Sequence, residues 1–254
     1  MTLRIALLSD VHMRTEDREA VTAALEAAVD RFERFDPDRT VVTGDLIQDA
    51  DQSADRRNVE RVLKILDPLS PRYLAGNHDT EHLDEETLTT YFGTDLWGRE
   101  TVDGIDLVYL DTSAPHLPKA RSELGPEQLS MLEDVLSGAN DAILFAHHLL
   151  HYRDISDNPW FGWRPELAYC SSKEWVQQLM DRHGGVLATF NGHVHENFHA
   201  RFRGTDHFTI NAVNKELPDS ETVTGTHALV TVDDRMRVEV YDVDGFVREW
   251  SIPR

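Results

Sequence analysis

Short apolar runs that stop at a polar turn recur along this chain, and they constrain its fold more than any other feature. Leu3–Ser9, Thr40–Thr43, Arg72–Ala75, Ile105–Leu110, Ala142–Ala146 and Val186–Phe190 have the length and composition of buried strands. Helical patterns run between them. Glu16–Phe35 sets Ala20, Ala23, Ala24, Ala27, Ala28 and Val29 at helical spacing and meets a stop at Pro37. Val59–Leu66 belongs to a helix ended by Pro68, Pro126–Leu136 opens on a proline, and a further helix surrounds Ser172–Arg182. Beyond Asn197 the texture changes. Ala200–Arg203, His207–Ile210, Ala228–Val232, Arg237–Tyr241 and Val247–Ile252 read as hairpin strands, with Asp233-Asp234 and Asp244-Gly245 as turns. An α/β body that finishes in a β-meander predicts a layered sandwich of strands and helices.

No repeat of 20–50 residues and no Pro/Gly/Ser linker interrupts the 254 residues, so 1–254 is expected to form one domain. Hydrophobic residues at 40% are enough to bury a core. No apolar run reaches the roughly 18 residues of a membrane span, and the N-terminus lacks a secretory pattern. A single cysteine, Cys170, excludes an internal disulfide framework and a multi-cysteine metal cluster, and a cytoplasmic setting is expected. The net charge of −21 disfavours polymeric nucleic acid and anionic membranes as partners. Lysine is scarce beside arginine, and either high-salt adaptation or a GC-rich genome accounts for that.

Five motifs sit where strands finish: Asp10-Val11-His12, Gly44-Asp45, Gly76-Asn77-His78-Asp79, His147-His148 and Gly192-His193-Val194-His195. Strand ends on one edge of an α/β sheet are where ligands collect. On extended backbone the i, i+2 spacing of Asp10/His12 and of His193/His195 points each pair to one face, and the glycines permit sharp turns. Carboxylate, imidazole and amide oxygen without thiolate suit Mn, Fe, Zn or Mg. Seven candidate ligands (Asp10, His12, Asp45, Asn77, His147, His193, His195) exceed what one ion takes but suit two ions sharing a carboxylate, with a hydroxide between them placed for in-line attack on phosphorus. Each motif alone also reads as an ordinary polar turn; the ordered set does not.

In this order the five motifs resemble the calcineurin-like binuclear metallophosphoesterase family. The resemblance implies a four-layer α-β-β-α sandwich of two packed mixed sheets with flanking helices and a C-terminal β-meander. It implies that Asp10, His12, Asp45 and His195 hold one divalent ion, and that Asp45, Asn77, His147 and His193 hold the other, with Asp45 bridging. His78 would act on the phosphoryl group or leaving oxygen, while Asp49 and Asp79 would orient ligands through hydrogen bonds. Leu110-Asp111-Thr112-Ser113 and Leu124-Gly125-Pro126-Glu127-Gln128-Leu129 are similar to the branch that includes class III cyclic-nucleotide phosphodiesterases. His147-His148-Leu149-Leu150-His151 departs from that branch, which has a proline soon after the histidine pair.

The expected activity is hydrolysis of a small phosphodiester, with a phosphomonoesterase, a nuclease or a non-catalytic scaffold as alternatives. His148 reads as a neighbour of the ligand His147 or a donor behind it. Residues 150–171 form a candidate lid or pocket wall, in which Trp160, Phe161 and Trp163 could stack on an organic group and Arg164 or Arg153 could meet a phosphate. Asp79 has a second reading as the cap of a helix near Leu83. His116, His151 and His199 read as bystanders. Oligomeric state is not legible.

Overall fold

Alternation along the first strand sets the layering in the computed structural model, which describes residues 2–113, 120–138, 140–217 and 220–253. That strand, β1 (Leu3–Leu8), is followed by α1 (Arg18–Phe35), β2 (Arg39–Val42), α2 (Gln52–Leu66), β3 (Arg72–Tyr73) and α3 (Glu85–Phe92). Next come β4 (Gly98–Val102), β5 (Ile105–Leu110), α4 (Pro126–Leu136), β6 (Asp141–Ala146), α5 (Lys173–His183) and β7 (Val186–Asn191). Strands alone follow: β8 (Phe198–Phe202), β9 (Thr205–Thr209), β10 (Asn214–Leu217), β11 (Ser220–Val223), β12 (His227–Val232), β13 (Arg235–Asp242) and β14 (Gly245–Pro253).

One six-stranded sheet has the order β14-β13-β12-β1-β2-β3 and the other β4-β5-β6-β7-β9-β8, while β10 and β11 pair as a separate ribbon. Both sheets are mixed. β1 is parallel to β2 and antiparallel to β12, and β5, β6 and β7 run parallel beside antiparallel β4. Leu3, Ile5 and Leu7 of β1 meet Leu107, Phe145, Phe190 and Phe208 between the sheets. Ala6 and Leu8, on the opposite face, pack under Val21, Leu25, Ala28 and Phe32 of α1 and Val59 and Val62 of α2. On the far side, Leu144 and Ala146 pack under Leu132 and Val135 of α4 and Val176 and Leu179 of α5. The period of two in the strands thus feeds two apolar layers from each sheet, and the result is the expected four-layer sandwich.

The C-terminal strands do not form one meander. β8 and β9 extend the second sheet, while β12, β13 and β14 form a meander on the first, because β1 pairs with β12 along its whole length from Leu3 to Leu8. Two elements carry weak sequence signals. β4 is a half-exposed edge strand, and α3 is a two-turn helix capped by Asp84, whose Oδ1 accepts from Thr87 N at 2.9 Å. Among the described residues no helix is long and apolar enough to cross a membrane.

Candidate metal centre

All five motifs follow strand ends: 10–12 after β1, 44–49 after β2, 76–79 after β3, 147–148 after β6 and 192–195 after β7. The route by which their side chains converge differs from the extended-strand expectation. Asp10 (φ 52°), His12 (φ 44°), Asp45 (φ 51°), His193 (φ 69°) and His195 (φ 51°) all adopt left-handed backbone. The strands have ended before these residues, so the left-handed turns, and not strand periodicity, aim the side chains. Such a conformation disfavours an L-residue by about 1 kcal/mol, and it concentrates at functional sites.

Two of the motif glycines are required by close approach. A Cβ on Gly192 would overlap the Ser9 hydroxyl and the Asp10 carboxylate, and one on Gly76 would overlap the carboxylate and amide of Asp45. Gly192→Ala is therefore expected to displace Asp10 and to destabilise the metal-free protein by about 1–3 kcal/mol, the scale of overpacking. Urea denaturation measures this, and an unchanged midpoint would contradict the close packing.

At the centre, Asp45 Oδ2 lies 3.2 Å from His147 Nε2 and 3.7 Å from His12 Nε2. Asp10 Oδ1 lies 3.2 Å from His195 Nε2 and 3.8 Å from His12 Nε2. His12 Nε2 faces His195 Nε2 at 3.0 Å, and His193 Nδ1 faces His147 Nε2 at 3.1 Å. Ligand atoms of Asp10, His12 and His195 fall within 4.8 Å of one another, as do those of Asp10, Asp45 and His147, and those of His12, Asp45 and His78. Asn77 Oδ1, His12 Nδ1 and His195 Nδ1 are buried without hydrogen-bond partners. Buried carboxylates and imidazoles facing one another at this spacing, with Asp45 shared between groups, fit a pair of divalent cations.

Backbone carbonyls orient the rings. Thr43 O lies 2.8 Å from His147 Nδ1, leaving Nε2 towards Asp45, and Leu167 O lies 3.0 Å from His193 Nε2, leaving Nδ1 towards the cluster. Burial alone would raise Asp10 and Asp45, but His195 and His12 beside Asp10, and His147 and His78 beside Asp45, hold both carboxyls well below the usual range. His147 moves the other way: burial lowers it, yet the Asp45 charge lifts it to about 9. Burial and the neighbouring His147 push His193 down to about 3.

His78 borders the cavity beside this cluster. Its amide donates to Asp45 Oδ1 at 2.9 Å, and its Nδ1 bonds the Asp49 carboxylate with Gln48 Nε2 3.2 Å away. Burial lowers its pKa, but Asp45 and Asp49 raise it to about 9. Asp79 does not cap a helix. It accepts from Gly76 N and Leu46 N at 2.9 Å and from Ile47 N at 3.3 Å, tying the Asp45 and Asn77 loops together. Burial and the nearby Asp45 raise it to about 7. His148 is buried, with Nδ1 2.8 Å from Thr112 Oγ1 and its ring 4.2 Å from that of His193. Burial keeps it well below the ordinary histidine value.

The cavity over the cluster measures about 410 Å³ and includes His12, Asn77, His78, Trp160, Phe161 and Arg14 in its lining. Trp163 and Arg164 do not line it. Trp163 is 74% exposed, and the Arg164 guanidinium sits over the Trp163 ring while its Nε donates to Glu166 at 3.3 Å. Arg153 pairs with Glu196 at 2.6 Å. His151 stacks on His207, away from the cluster, and His116 lies outside the described residues. Sequence reasoning missed Arg14, Gln48 and Asn214 in the lining, and also Lys215, whose Nζ donates to His195 O at 3.0 Å. Their polarity is visible in the sequence, but nothing local marks their destination.

Residues 3–197 match the family model described as calcineurin-like phosphoesterase. Over 240 residues the chain is 26% identical to the serine/threonine-protein phosphatase CPPED1 of Rattus norvegicus, a match covering 86% of this chain and 73% of that protein. In fold it is similar to a dimetal phosphatase from Danio rerio, with a TM-score of 0.73 and 16% identity over 99% of this chain and 98% of that one. The purple acid phosphatase PPD1 from yellow lupin (Lupinus luteus) seeds gives a TM-score of 0.72 and 15% identity, over 100% of this chain and 54% of that one.

Proposed function

Because this chain belongs to the calcineurin-like phosphoesterase family, we propose that it hydrolyses a small phosphoester using two divalent ions bound at the five strand ends. Asp10, His12, Asp45 and His195 would hold one ion, and Asp45, Asn77, His147 and His193 the other. The observation that carries this reading is the convergence of these buried side chains, with Asp45 within 4 Å of both His12 and His147. Mn, Fe, Zn and Mg all accept this donor set. When bound, such a pair supplies positive charge for the phosphoryl oxygens and acidifies water towards neutral pH.

The rest of the chemistry belongs to the chain. His78, held by Asp49, donates a hydrogen bond or proton to the leaving oxygen. Asp79 keeps the loops of Asp45 and Asn77 at fixed separation. Trp160 and Phe161 wall the cavity and exclude water from one side. Residues 1–254 act as one unit, with 150–171 as its pocket wall. A cytoplasmic setting suits a chain whose one cysteine is buried and unbonded.

We read the preferred ester as a phosphodiester, cyclic nucleotides included. The support is the segment similar to the cyclic-nucleotide branch, where Gln128 bonds both Asp111 N (2.9 Å) and Asp111 O (3.0 Å), and Thr112 holds His148. A phosphomonoester is the second reading, favoured by the phosphatase name of the rat relative. The net charge of −21 argues against polymeric nucleic acid as substrate. A panel of phosphomonoesters and of linear and cyclic phosphodiesters, assayed with each of the four metals and without metal, tests the proposal. Metal-dependent turnover of bis(p-nitrophenyl) phosphate above p-nitrophenyl phosphate is expected. Turnover of monoesters alone selects the second reading, and no turnover with any metal refutes both.

A further inference from the structure

Residues 150–171 share a small apolar core with the metal motif. Val194, which separates His193 from His195, is fully buried among Leu149, Ile155, Ala168 and Tyr169, with Phe161 packed against them. Polar contacts repeat the same link. Asn158, only 4% exposed, donates from Nδ2 to Val194 O and to Glu196 Oε1, both at 2.8 Å. Its Oδ1 accepts from Trp160 N and Phe161 N, both at 3.0 Å. One amide therefore uses both hydrogens on the loop that carries the ligands and its oxygen on the loop that walls the cavity. Phe161 then lies 4.6 Å from the His193 ring, and Trp160 lies 4.9 Å from the His195 ring. Leu167 O fixes His193 Nε2, and Arg153 pairs with Glu196 at 2.6 Å.

From these contacts we infer that residues 150–171 are a fixed brace for the two C-terminal histidine ligands, with Asn158 as its positioning residue. The inference rests on the metal-binding reading above. His193 and His195 hold left-handed backbone just past the end of β7, where no sheet ladder restrains them. The brace adds to the restraint from Asp10, whose carboxylate accepts from His193 N, and from Lys215, which donates to His195 O. It also joins the aromatic wall to the ligands, so the wall does not open independently of the centre as a lid would. Asparagine is the residue that serves both loops: aspartate has no hydrogen to give Val194 O and sets a second carboxylate beside Glu196.

Manganese titration of the metal-stripped full-length protein, by calorimetry and by electron paramagnetic resonance, tests this. Wild type is expected to bind two ions and to show the signal of a coupled pair. Asn158→Asp is expected to bind manganese 10–100-fold more weakly, the scale for losing a group that orients a ligand. Its spectrum is expected to shift towards isolated ions. Glu196→Gln keeps the side-chain shape while removing the charge that Arg153 grips, and a loss of several-fold is expected; it decides the matter if Asn158→Asp fails to fold. Folded variants with wild-type affinity and a coupled-pair signal overturn the brace alone. Wild-type protein that takes up no manganese overturns the metal reading and the brace together.

Discussion

Asp45→Ala is expected to lose both metal ions and essentially all turnover. Its carboxylate lies within 4 Å of a histidine side chain from each proposed metal set, 3.7 Å from His12 and 3.2 Å from His147. Its other oxygen accepts the His78 amide, so the substitution also frees the loop that presents His78. Alanine leaves two histidine-rich half-sites with no shared anion between them. The expected fall in kcat/KM is about 10⁴-fold or more, the scale seen when members of one catalytic unit are removed. Elemental analysis of the purified variant, beside its kinetics, checks the two losses together. A variant that keeps two metals and near-normal activity would refute the bridging assignment.

His78→Ala separates binding from chemistry. Its imidazole is held by Asp49 at the cavity wall, and the proposed ligand sets are complete without it. Metal content is therefore expected to stay at two ions, while kcat falls by about 10²–10⁴-fold, the usual contribution of a positioned proton donor. Elemental analysis and kcat on a single ester are sufficient measurements. Loss of one ion from His78→Ala would instead make His78 a ligand, an assignment its position near His12 and Asp45 makes worth checking.

Much of this architecture is written in local pattern. The strands that deliver the motifs are short, mostly apolar and mostly buried runs, and α1 and α4 announce themselves by spacing and by Pro126. Non-local facts were harder to read. Whether the five C-terminal hairpin strands join one sheet or two depends on the edge of β1 that β2 leaves open, which no C-terminal residue encodes. The side of the cavity wall that faces the ligand cluster follows the turn at Asn158, with Trp160 and Phe161 lining the cavity while Trp163 and Arg164 stay outside. Leu167 acts through its carbonyl, a group every residue possesses, so its identity is silent. The left-handed backbone of Asp10, His12, Asp45, His193 and His195 is not legible in the sequence, because spacing alone suggests extended backbone.

His12 and His195 sit in backbone that asparagine or glycine would occupy more comfortably. Exchanging either one is expected to relax the chain while deleting a proposed metal ligand. Laboratory evolution that rewards heat resistance alone will therefore drift toward robust, inert descendants of this protein, and catalytic output has to be selected in the same round.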